Sequence, residues 1–177
     1  MQLLYIPALF CYLLAGAVCL KRLLSRHGPV TAYVLTPAII ALVCHTLWLG
    51  QVMLQSSGQN LSLLNVASLV SFIIAMMMTA ATSKYRVWIL LPVVYGFSAL
   101  ILAATNLIPM HYMTHLEQRP ELLTHISFAL MAYATLIIAS LFALQHWYLD
   151  WTLKKHSIMI LHPALPPLMT IEKQLFW

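Results

Sequence analysis

The sequence holds eight histidines but only four carboxylates, so any chemistry it performs is imidazole chemistry before it is acid–base chemistry. Two of the eight draw attention first, because apolar residues surround them. His45 stands in "IIALVCHTLWLG", and His125 stands near the start of "LLTHISFALMAYATLIIASLFALQHWYLDW". A neutral imidazole in such surroundings must hydrogen-bond or ligate something. Three readings are open for the pair. They can bond neighbouring helices, they can ligate iron, for which imidazole is the commonest axial group in haem proteins, or they can relay protons.

Other candidates carry weaker signals. "HYMTHLE" places His111 and His115 four residues apart, with Glu117 beyond. If helical, this segment puts both imidazoles on one face, and H-x3-H beside a carboxylate can hold zinc. Two imidazoles and one carboxylate give at most three ligands, so a tight zinc site is not expected. Cys11, Cys19 and Cys44 lie in apolar runs without a CxxC and read as small hydrophobes. Asn65 belongs to a run of polar residues with Ser62, Ser68 and Ser71 that suits helix–helix packing, and its amide can also hold the polar edge of a ligand. His27, His146, His156 and His162 flank basic or aromatic segments and read as interface residues. No phosphate loop and no nucleophile–base pair is present, and the carboxylates lie almost entirely outside the apolar runs, which argues for binding and handling over catalysis.

The elements that must position these groups are membrane helices. The chain is 62% hydrophobic and 7% charged, against about 25% charged in soluble domains. Five stretches approach the ~20 apolar residues needed to cross a bilayer: residues 2–20, 31–54, 61–82, 87–108 and 122–147. The expectation is an all-α, polytopic transmembrane bundle of about five spans. The first stretch is not a cleaved signal peptide, since its basic residues follow the apolar run. The connections carry three, none, two and one Lys or Arg in turn, and the tail carries three. Lys and Arg favour the cytoplasmic side, which puts the N-terminus outside and the C-terminus inside. Trp88, Trp147, Tyr148 and Trp151 then fall near the cytoplasmic headgroups as an aromatic belt. In this frame His45 and His125 both belong to the outer half. The net charge of +5 reflects this asymmetry, and no nucleic-acid partner is expected.

Two segments resemble a known family. "HTLWLGQVMLQSSGQNLSLLNVASLVSFI" (45–73) is similar to the part of cytochrome c assembly membrane proteins, the CcsA and HemX group, in which a transmembrane histidine precedes a short outer loop and an Asn-containing helix start. "LLTHISFALMAYATLIIASLFALQ" (122–145) resembles the family's histidine and glycine-tyrosine-alanine helix, with Tyr133 at the tyrosine. The resemblance runs from about residue 38 to the end. It implies a haem-binding protein of the bacterial inner membrane that assists cytochrome c assembly, with haem as cofactor, His45 and His125 as iron ligands, and Asn65 and Tyr133 as further cofactor-binding positions. Other cytochrome c maturation proteins would be partners, beside the lipid bilayer. The sequence departs from the family in lacking its tryptophan-rich outer-face motif. "HPALPPLMTIEKQLFW" (162–177) resembles a cytoplasmic linker into a further helix, so residues 1–177 read as the N-terminal part of a longer assembly domain, with 152–177 as that linker. The two imidazoles need not share one iron; in relatives each site is completed by a later histidine. A transporter subunit or metal-homeostasis partner is the alternative, with His45 and the polar third helix lining a path.

Overall fold

Ala8, Tyr12, Ala15, Gly16 and Cys19 recur every three or four residues and form the buried stripe of the first helix, α1 (Tyr5–Leu24). The same spacing on α2 (Thr31–Met53) buries Val34, Ala38, Ala41, His45 and Trp48. α3 (Leu63–Ala81) buries Asn65, Ser68 and Ser71 along one line, and α4 (Leu91–Leu107) buries Leu91, Val94, Tyr95, Ser98 and Leu102. The computed structural model describes residues 3–25, 31–55, 58–85, 87–108, 110–115 and 118–154. In it α1 lies against α2 and α4, α3 lies against α2 and α4, and α5 (Pro120–Lys154) packs on α3. The chain is thus an all-α helix bundle. The linker expected from residue 152 enters the end of α5, and residues 155–177 lie outside the described ones.

Polarity is distributed as hydrocarbon demands. The interior holds His45, Asn65, Ser68, Ser71 and Ser98, while Phe10, Leu13, Ile39, Val43, Leu100 and Phe128 face outward. α1, α2, α3 and α5 are long and apolar enough to cross a membrane. α4 is shorter than the stretch from residue 87 to 108 suggested. Residues 88–90 form turns, and the helix begins at Leu91 with Pro92 in its first turn, where a missing N–H costs nothing. Its 17 residues span about 26 Å. α5, at 35 residues, is about 52 Å long. It exceeds a hydrocarbon core of ~30 Å, so it tilts or projects. Trp88 packs inside the bundle, whereas Trp147, Tyr148 and Trp151 remain exposed as a belt requires.

At the opposite end from Lys21 and Arg22, a small antiparallel sheet joins two connections. β1 (Leu54–Gln55) pairs with β2 (Gly58–Asn60), and β2 pairs with β3 (Met113–Thr114). It ties the α2–α3 hairpin to the segment that enters α5. Asn60 is its hub. Its Oδ1 accepts from the Ser62 and Tyr112 amides at 3.3 and 3.0 Å, and its carbonyl accepts from Asn65 Nδ2 at 3.1 Å. Gly58 has φ +126°, and a Cβ there would meet the Thr114 carbonyl oxygen at 2.6 Å, so this position accepts only glycine without displacing β3.

Candidate functional site

α2 carries His45 about 12 Å in from its sheet-side end, eight residues before Met53. The small residues of the α1 stripe bring Tyr12 against it, and α3 brings Ser68. Tyr12 Oη lies 3.2 Å from His45 Nδ1 and Ser68 Oγ lies 3.0 Å from Nε2. A neutral imidazole has one N–H and one lone pair, and two hydroxyls satisfy both whichever tautomer is present. Phe72 and Tyr12 meet the ring edge-on, with centroids 5.4 and 5.7 Å away, and Trp48 closes a third side at 6.1 Å. The residue is 0% exposed. The arrangement joins three helices through one side chain. It does not fit iron ligation, because neither ring nitrogen is spare. An iron at His45 would have to displace Tyr12 or Ser68.

His125 is placed differently. It sits in the second turn of α5 and is exposed. Ala134, Ile138, Leu141, Gln145 and Leu149 form the inward stripe of α5. Ala134 follows His125 by nine residues, two and a half turns, so the imidazole points away from α3. Phe128, Ala129, Ala132 and Leu136 continue its outward stripe, with Phe128 72% and Leu136 65% exposed. Tyr133 flanks this surface about 12 Å along the axis, and it too is exposed. The structure therefore sets His45 and His125 on the same half of the molecule without bringing them together. One imidazole is enclosed and the other faces outward.

Asn65 is buried and turned to the loop, its Nδ2 spent on the Asn60 carbonyl and its amide on the Ser62 hydroxyl at 3.4 Å. His111 and His115 bracket β3 in an extended segment, not on a helix. Four extended residues separate them by about 13 Å, and the His115 ring lies beside Gly58. Among the described residues no group of three His, Cys, Asp or Glu side chains could hold a metal ion, and Glu117 lies outside them. Tyr12 and Asn60 were not singled out from the sequence. Tyr12 is the one large residue in a stripe of alanine, glycine and cysteine, and Asn60 stands two residues before the Ser62 cap; both are readable signals in hindsight.

Comparison with known proteins bears on what this arrangement serves. A family model described as cytochrome C assembly protein matches residues 33–177. Inner membrane protein YpjD of Escherichia coli, from strain K12 and from O6:H1 and O157:H7 strains, is 44% identical over 171 residues. The aligned region covers 96% of this chain and 65% of the relatives' own length. No solved structure matches the chain.

Proposed function

The chain belongs to the cytochrome c assembly protein family and is a multi-pass protein of the bacterial inner membrane, and from that premise we propose that it handles haem on the side of the membrane where the small sheet lies. The observation that carries the reading is the setting of His125. An exposed imidazole stands on an apolar helix face whose next two turns present alanines, which leave room for a flat macrocycle to lie against the backbone. Haem would be cargo here, bound through its iron and passed on.

His125 supplies the nitrogen. Ala129 and Ala132 keep the surface low, Phe128 and Leu136 extend its apolar area, and Tyr133 offers a hydroxyl at its far edge. β3 ends shortly before α5 begins, so His125 lies close along the chain to the sheet. His45 and Asn65 act indirectly. His45 fastens α1 and α3 to α2, and Asn65 fastens the sheet to α3. The sheet end is extracytoplasmic in this proposal. Lys21, Arg22 and Lys84 lie at the other end, where cytoplasmic charge is expected.

Absorption spectra of the detergent-purified chain, oxidised and reduced, test the reading. Wild type should retain a Soret band, weak or five-coordinate because one axial partner is supplied. His125→Ala should lose most of it, and His111→Ala should not. Haem content unaffected by His125→Ala ends the assignment. An impermeant thiol reagent on intact cells tests the orientation, with labelling expected at Gln59→Cys and not at Ser157→Cys.

A further inference from the structure

A second feature lies at the basic end, away from both histidines. α1 and α2 line a groove of about 980 Å³ there, at the upper end of the size range of small-molecule sites. Its walls are largely apolar, formed by Leu14 and Val18 on one side and Ile40 and Pro37 on the other, with Lys21 and Arg22 at its mouth. Pro37 lies inside α2 and lines the groove, and it has no N–H to give the Tyr33 carbonyl. Ala32 and Thr36 leave the wall low, and the Thr36 hydroxyl is already spent on the Ala32 carbonyl at 2.8 Å.

We propose that this groove is a binding site for one acidic phospholipid of the leaflet at the basic end. The first argument is length. From Cys11, at the deep end of the groove, to Lys21, at its mouth, α1 rises ten residues, about 15 Å. That is half of a ~30 Å hydrocarbon core, so the groove runs the depth of one leaflet, which suits an acyl chain. The second argument is charge. Two cations stand where the headgroup would lie, and among the described residues no Asp or Glu lines the groove. Basic pockets between membrane helices on this side are suited to acidic headgroups. The third is order. The Arg22 guanidinium lies 5.4 Å from the centroid of the Tyr33 ring, within cation–π range, so one cation is held across the mouth from α1 to α2. A phosphodiester can bridge Arg22 and Lys21 there while its chains follow Val18 and Leu14 inward. Such a lipid would fill the gap between α1 and α2 on the side away from His45. The proposal stands independently of haem handling.

Native mass spectrometry of the full chain tests it, with phosphatidylglycerol and phosphatidylethanolamine of matched acyl chains added in equal amounts. Wild type should retain one phosphatidylglycerol with a preference of about 30-fold, at roughly fivefold per cation. Lys21→Gln with Arg22→Gln should abolish the preference, and Val18→Trp, which fills the groove, should abolish retention of both lipids. Circular dichroism and elution volume report whether each variant folds. Equal retention of the two lipids by wild type, or an undiminished preference in the folded double variant, overturns the proposal.

Discussion

His45 on α2 and His125 on α5 both lie among apolar residues, yet the bundle treats them in opposite ways. α2 is enclosed by α1 and α3, and every polar atom of His45 meets a hydroxyl. α5 touches the bundle along one stripe, and His125 stands on the far side of it. The first histidine is consumed in holding helices together, whereas the second has its chemistry left over. Under the proposed reading, burial does not mark the imidazole that serves a ligand. The satisfied one is the better candidate for architecture and the unsatisfied one for binding.

Five substitutions, one of them used in combination, sharpen that contrast, taken by expected effect on stability. His45→Ala should cost most, about 3 kcal/mol or more, since it opens a cavity and strands Tyr12 Oη and Ser68 Oγ. Denaturant or thermal unfolding of the purified protein measures it, and an unfolding midpoint like wild type would remove His45 from the architecture. Gly58→Ala should cost about 2 kcal/mol, because φ +126° is strained for alanine and its Cβ meets the Thr114 carbonyl. Hydrogen exchange should show the loss at residues 58–60 and 110–115, while the middle of α1 stays protected. Tyr12→Phe should cost about 1 kcal/mol, the scale of one interhelical hydrogen bond in a membrane protein, and combining it with Ser68→Ala should give less than the sum if the two share the imidazole. His125→Ala should shift the midpoint by less than about 0.5 kcal/mol, as an exposed site does; a shift as large as that of His45→Ala would erase the distinction between the two helices.

The spans were legible because apolar length alone defines them. Their pairing was not. Tyr12 and Ser68 lie 33 and 23 residues from His45, and an almost uniformly apolar sequence does not say which face meets which neighbour. α5 illustrates this, since its inward and outward faces are both apolar and only the packing of Ala134 and Leu149 tells them apart. The sheet escaped notice because strands of two or three residues are too short to show alternation. The helical condition for "HYMTHLE" is not met, because Met113 and Thr114 pair with β2. The late start of α4 was signalled by Pro92. Of the four candidate site residues, His125 and Tyr133 lie open on α5, and His45 and Asn65 are committed to internal hydrogen bonds.

The central claim is that His125, unlike His45, offers its nitrogen to iron. Chemical rescue tests it most directly. His125→Gly is purified with added haem, and its visible spectrum is followed as free imidazole is titrated in, with His45→Gly treated alike. The account predicts that imidazole restores the wild-type Soret band to His125→Gly, and that His45→Gly loses stability without an imidazole-dependent spectral change. Rescue of His45→Gly, with no response from His125→Gly, would contradict it.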